Sequence, residues 1–319
     1  MAGGGTKAVV AALLANTGIA ITKFGAWALT GSASMLAESI HSVADAGNQA
    51  LLLLGGKRAK REATELHQFG YGRERYVYSF IVAIVLFSVG GLFALYEGYH
   101  KVSHPEAITE WKWVPVAVLV VAIVLESLSF RTAIVETNKV RHGASWSNFI
   151  RNARSPELPV ILLEDFAALT GLVLALAGVV LSLATGNGIY DGLGSMSIGA
   201  LLVVVAIFLA IEMKSLLIGE SATREASERI TAAIEATTGV DRIIHLKTLH
   251  IGPEEVLVAV KIAVAETADA KVVADTINAV ERAVREAEPT SVHIYVEPDI
   301  FVPGYEPEER PVAPDAPSH

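Results

Sequence analysis

Six stretches of about 20 mainly apolar residues, near 7–30, 33–56, 76–99, 112–133, 158–184 and 190–218, leave this chain little choice of solvent. A helix of that length crosses a hydrocarbon core, and within lipid only structures that satisfy their own backbone hydrogen bonds are stable. Charged residues are 18% of the chain, against roughly 25% in soluble domains, so the composition agrees. The sequence therefore predicts a multi-pass integral membrane protein with six spans. Its N-terminal apolar run continues through Trp27 and Leu29 without a cleavage pattern, which reads as the first span and not as a leader. The last span is expected to be broken by Gly192, Gly194 and Gly199 against a close helix neighbour.

The loops orient the spans. The segment 57–75 carries six Lys/Arg and the loop after span four four more, while the three remaining loops carry none, two and none. The positive-inside rule then places both termini and the basic loops in the cytoplasm, and the reading is of a cell (inner) membrane. With no cysteine, thiolate metal sites are excluded and soft-metal chemistry falls to histidine.

After Leu217 the character changes. Residues 221–319 hold nine Lys/Arg against 18 Asp/Glu, so the net charge of −9 belongs to this region. Amphipathic and alternating segments follow in the order αββαβ, with a turn at Gly252-Pro253. The fold class is thus a mainly α membrane protein, with a six-helix transmembrane domain at 1–219 and a cytoplasmic α+β domain at 220–300. The acidic, Pro-rich 301–319 is expected to be disordered. Acidity makes nucleic acid an unsuitable partner.

Span two interrupts its own apolarity. Residues 34, 38, 41, 45 and 48 step by four and three, which puts Ser34, Glu38, His41, Asp45 and Asn48 on one stripe of the helix. Ionisable groups inside a span face a cavity or a partner and mark function by default. His41 and Asp45, four apart, can hold one ion together. Further intramembrane acids are Glu164 and Asp165 in span five, at a depth comparable with Asp45. Neighbours on a helix diverge by about 100°, so only one of the two points straight at a shared ion. Asp165 is the first choice, with Glu164 reaching around or acting beside it.

The run GSASMLAESIHSVADAGNQ, HQFGYGRER before span three, LLEDFAALTG in span five and HIGPEEVLVAVKIAV in the tail resemble the cation diffusion facilitator family, in the branch that includes the zinc transporter nine type. The resemblance covers about residues 7–298. It implies a homodimer, joined through its cytoplasmic tails, that exchanges a divalent cation, usually zinc, for protons at a tetrahedral site between spans two and five. It implies a secondary transporter and not an enzyme, with Zn2+ as transported substrate and protons as counter-ion. The metal ligands are then His41, Asp45, Asp165 and Glu164.

Three departures from the family pattern stand out. Ile161 occupies a place where many members carry His or Asp, and Tyr71 stands where a peripheral ligand is frequent. The tail positions that bind metal in some members fall on Val260, Tyr295 and Glu297, so no metal site is expected at Tyr71 or in the tail.

Other polar groups have blander readings. Glu38, Asn16, Lys23, Asn48 and Gln49 read as helix-contact or pathway groups, Glu126 as a structural pair with Arg131, and His67, His245, His250 and His293 as ordinary histidines. Carboxylate-rich ligation is hard, so Mn2+, Fe2+ and Co2+ stand beside zinc as alternatives. A metal sensor or scaffold without flux, or an ion channel, are the readings from other classes.

Overall fold

The computed structural model describes residues 3–30, 33–105, 113–141 and 143–304, with only the backbone for 3, 4, 30, 33–38 and 40. Glu38's side chain and most of the terminal segment expected to be disordered, from 305 on, lie outside the described residues.

Six long helices form where the apolar runs lie: α1 (Gly3–Thr30), α2 (Ala33–Arg58), α3 (Glu74–Ser103), α4 (Trp113–Val140), α6 (Glu157–Thr185) and α7 (Ile189–Ile218), with a short α5 (Trp146–Asn152) before α6. Among the described residues five of the six are apolar and long enough to cross a membrane. The second is not, because its stripe of Ser, His, Asp, Asn and Gln displaces the leucines that an ordinary span would carry. The fold class read from the sequence, a helical membrane protein followed by a small αββαβ unit, is the one observed.

The last span is corrected: α7 is continuous from Ile189 to Ile218 and not broken. Its glycines serve close approach instead. A Cβ at Gly199 would stand 2.6 Å from the Leu95 nitrogen, and one at Gly98 2.5 Å from the Met196 nitrogen. Gly192 meets Val102 in the same way, at 2.8 Å. Backbone therefore lies against backbone between α3 and α7, the arrangement that small residues permit in lipid. Within α3, one π-helical stretch (Leu86–Leu92) contains Gly90 and Gly91, and Gly90 sits against the His41 ring, 3.5 Å from where its Cβ would be.

The ends near the basic loops are tied by charge. Arg75 at the start of α3 pairs with Glu157 at the start of α6, and Arg154 pairs with Glu220 just beyond α7. The Tyr76 hydroxyl donates to the Arg154 carbonyl at 3.1 Å.

The chain divides into two compact units, Met1–Glu220 with His250–Glu255 and Ser221–Leu249 with Val256–His319. In the second, α8 (Arg224–Glu235) is capped by Thr223 and α9 (Ala270–Ala287) by Asp269, each side chain accepting from a backbone N–H in the first turn. The strands β1 (Arg242–Gly252), β2 (Glu255–Ala263) and β3 (Ser291–Asp299) form one sheet in that order. A two-residue connection makes β1 and β2 an antiparallel hairpin, while β2 and β3 run parallel with Leu257 opposite His293 and Lys261 opposite Glu297. Val256, Val258, Val260 and Ile262 alternate inward from β2 onto Ile230, Ile234, Val280 and Val284 of the helices.

Candidate metal centre

Polar groups from four helices meet inside the first unit. The α2 stripe brings His41 and Asp45 together, with Nε2 and Oδ2 3.7 Å apart and both side chains about one-fifth exposed, at 22% and 20%. One turn further on, Asn48 and Gln49 are fully buried and reach α6: Asn48 Nδ2 donates to one Glu164 oxygen at 2.9 Å and Gln49 Nε2 to the other at 2.8 Å. Asn16 of α1 donates to Gln49 Oε1 at 3.2 Å, so the chain of amides runs from α1 through α2 to the Glu164 carboxylate. Asp165 turns the other way. Its Oδ2 accepts from the Ser129 hydroxyl of α4 at 2.8 Å.

A cavity of about 80 Å³ lies beside these groups, and by the same measure one water needs about 10–15 Å³. Its wall includes His41, Asp45 and Glu164, together with Lys23 of α1 and Glu126 of α4. The lining continues through the middle of the bundle at Leu86, Ala167, Gly171 and Leu202 and on to Phe93, Ala94 and Glu97 late in α3, Ala175 past the middle of α6 and Ser195 and Ile198 early in α7. The latter group lies in the helix halves away from the basic loops. At the far end Lys101 pairs with Glu97 at 3.2 Å and with Asp191 at 3.1 Å.

The structure thus brings together His41, Asp45 and Glu164 on one cavity wall and places Asp165, 1% exposed, behind it against α4. Among the described residues no set of three or more His, Asp or Glu side chains is disposed to hold a metal ion in this conformation. Ile161 is fully buried in the apolar core beside α6's other large residues. Asn16, Lys23, Asn48 and Gln49 are all buried, as pathway or helix-contact groups would be.

The pairing of Glu126 with Arg131 is corrected. Glu126 is 2% exposed and lies within electrostatic range of Asp165, Asp45, Glu164 and Lys23, whereas Arg131 is exposed. Five residues along a helix turn the side chain by about 140°, so the two never shared a face. The signal that finds Glu126 is its own stripe: Ala122, Glu126, Ser129 and Ala133 step by four, three and four and are all buried. Lys23 likewise lies on a buried stripe of α1, with Ala12, Asn16 and Ile19.

In the second unit, Lys261 occupies the neighbourhood of the tail position Glu297, at 3.0 Å, and of Asp299, at 2.9 Å. Val260 is buried in the core and Tyr295 points outward from β3. His250 is buried with its Nδ1 3.2 Å from the Gly252 carbonyl oxygen. The rings of His67 and Tyr71 pack at 4.6 Å.

Residues 9–218 match the cation efflux transmembrane domain family. The chain belongs to the cation efflux family. Within the family it is similar to the proton-coupled zinc antiporter SLC30A9, mitochondrial, of Xenopus laevis, at 35% identity over 78% of this chain and 45% of that one. The human protein of the same name is 34% identical over 77% of this chain and 44% of its own. Metal tolerance protein C4 of Arabidopsis thaliana is 33% identical over 77% and 54%. The chain spans about half the length of these curated relatives. Among solved structures, a MamM-CTD fragment aligns with 25% of this chain and 100% of its own length at 21% identity and a TM-score of 0.24. Six helices, a family match through all of them and five apolar spans make this a multi-pass membrane protein.

Proposed function

We propose that this protein is a divalent cation/proton antiporter whose substrate is zinc, bound by His41, Asp45 and Asp165 with Glu164 as the further carboxylate. The observation that carries the reading is the cavity wall on which His41, Asp45 and Glu164 stand together in the middle of the membrane unit. An imidazole and carboxylates bind a divalent cation when deprotonated, and protons compete for the same lone pairs. Loading on the side of the basic loops and exchange against protons on the other side then gives antiport. The similarity to the SLC30A9 relatives, proton-coupled zinc antiporters, supports zinc over harder metals.

The cavity's lining supports one stage of such a cycle. It extends from the site along helix halves distant from the basic loops, while Arg75–Glu157 and Arg154–Glu220 hold the opposite ends together. This is the state that releases cation and accepts protons, and a movement of α6 on α2 would gather the ligands for loading. The assembly proposed is a homodimer joined through the second unit, where Val292 and Tyr295 of the edge strand β3 lie exposed.

The test is flux into proteoliposomes across an imposed pH gradient, zinc being compared with manganese and cobalt. Zinc movement coupled to proton movement, abolished by Asp45→Ala, is expected. Binding without flux would instead identify a sensor, and conductance without a pH dependence a channel.

A further inference from the structure

Among the described residues the cavity wall carries four acids, Asp45, Glu97, Glu126 and Glu164, and one lysine, Lys23. Lys23 is 4% exposed and lies within electrostatic range of Glu126. Its helix makes the placement deliberate. Ala12, Asn16, Ile19, Lys23 and Ala26 step by four and three and are all buried, whereas Leu14 and Ile21 on other faces are two-thirds exposed, at 68% and 67%. The ammonium is therefore directed into the bundle and does not snorkel to an interface. A charge at such depth costs several kcal/mol unless carboxylates face it, and leucine would fill the same wall without that cost.

We propose that Lys23 is a tethered cation: its ammonium balances the carboxylates of the empty cavity, and the divalent substrate binds in competition with it. The inference rests on the zinc reading of the same cavity. Between fixed charges the repulsion scales with their product, so the ammonium opposes a dication twice as strongly as a monocation at the same place. Lys23 thereby keeps zinc affinity low enough for release, since a carrier that binds too tightly stops turning over. Asp45, Glu126 and Glu164 supply the attraction, and Lys23 sets how much of it the incoming ion receives.

The experiment is zinc titration calorimetry on the purified full-length protein, paired with the flux assay. Lys23→Met is expected to tighten zinc binding by about tenfold or more and to slow turnover, because removing one unit charge from a poorly screened cavity acts twice on a dication. Lys23→Arg keeps the charge, so its zinc affinity should stay well below that of Lys23→Met. Lys23→Met with Glu126→Gln removes one charge of each sign, and its affinity should return towards the wild-type value instead of summing the single effects. Lys23→Gln serves the same measurement if the methionine variant does not hold its fold.

Unchanged or weaker zinc binding in the neutral Lys23 variants overturns the inference, while loss of binding in Asp45→Ala leaves the transport reading standing. Zinc binding that ignores Asp45→Ala removes the transport site and the competition at it together.

Discussion

Glu164 and Asp165 are consecutive on α6, yet their carboxylates are held by different helices: Asn48 and Gln49 of α2 clasp the first, and Ser129 of α4 holds the second. The separation follows from helix geometry and decides how conservative amide substitutions should behave. In Glu164→Gln one oxygen becomes an NH2, and the Asn48 amide, whose Oδ1 is buried without a hydrogen-bond partner, can turn to accept from it while Gln49 Nε2 still donates to the remaining oxygen. Asp165→Asn keeps an oxygen for the Ser129 hydroxyl and loses only its charge. We therefore expect both variants to leave the thermal midpoint nearly unchanged, with Glu164→Gln lowering zinc affinity modestly and Asp165→Asn losing most of it. Wild-type zinc binding in Asp165→Asn would remove Asp165 from the ligand set.

His41 offers a test of ligand identity that does not depend on loss of function. Its ring packs against Gly90 and faces Asp45 at 3.7 Å, so a shorter aspartate side chain fits the same space. Exchanging imidazole for a hard carboxylate should favour manganese over zinc, since neutral nitrogen ligands suit zinc and oxygen ligands suit manganese. His41→Asp is expected to retain flux and to move the zinc-to-manganese rate ratio towards manganese by about tenfold. An unchanged ratio would mean that the ring does not touch the ion.

The α3/α7 contact makes a prediction about packing alone. At Gly199 a Cβ would meet the Leu95 nitrogen at 2.6 Å and the Gly91 oxygen at 2.9 Å, both backbone atoms that cannot rotate away. Gly199→Ala must push the helices apart, at a cost of about 1–3 kcal/mol. Gly25→Ala on α1 is the control, because nothing lies within 4 Å of its added methyl and alanine is the better helix former. Thermal unfolding in detergent should show a drop for the first and none for the second; equal midpoints would contradict the close approach.

What the sequence made legible, and what it did not, follows from how polar groups are distributed. The stripe of α2 carries several polar residues at helical spacing, so its orientation could be read before any neighbour was known. Span four offers one acid, and nearness in sequence suggested Arg131 as its partner; the helical angle, which puts Glu126 with Ser129 and not with Arg131, was the better guide. Lys23 could be placed on a face by the same count, but which acids faced it depended on how α1 packs against α4, and no local pattern encodes that. The glycines of α7 signalled a close neighbour correctly, while the break they suggested failed because lipid tolerates glycine in a helix whose backbone bonds are all internal. The fold of the second unit was readable because each strand alternates inward valines and isoleucines with outward polar residues.

The last prediction concerns the pH dependence of that second unit. Burial alone would raise the Glu288 carboxyl, but hydrogen bonds from Thr290 Oγ1 at 2.7 Å and from Arg229 outweigh it, and the group lies below the ordinary carboxylate range. Asp299 is lowered as well, first by its bond from Lys261 and then by the Ile300 N–H. For a lowered carboxyl the stabilisation is complete above the unfolded value, near about 4, and is lost as pH falls through the folded value. Lys261 is raised, first by Asp299 and then by Glu297, so its contribution is complete below the unfolded value, near about 10.4, and is lost as pH rises beyond it. Stability from these groups should be level between about pH 5 and 9 and fall on the acid side. Hydrogen exchange of the β2 amides in the full-length protein, corrected for intrinsic rates, reads this locally. Glu288→Gln should lower protection at pH 6, and its difference from the wild type should shrink as pH falls through the native carboxyl's lowered value. A variant that matched the wild type at pH 6 would show that the Arg229 and Thr290 bonds contribute nothing to folding.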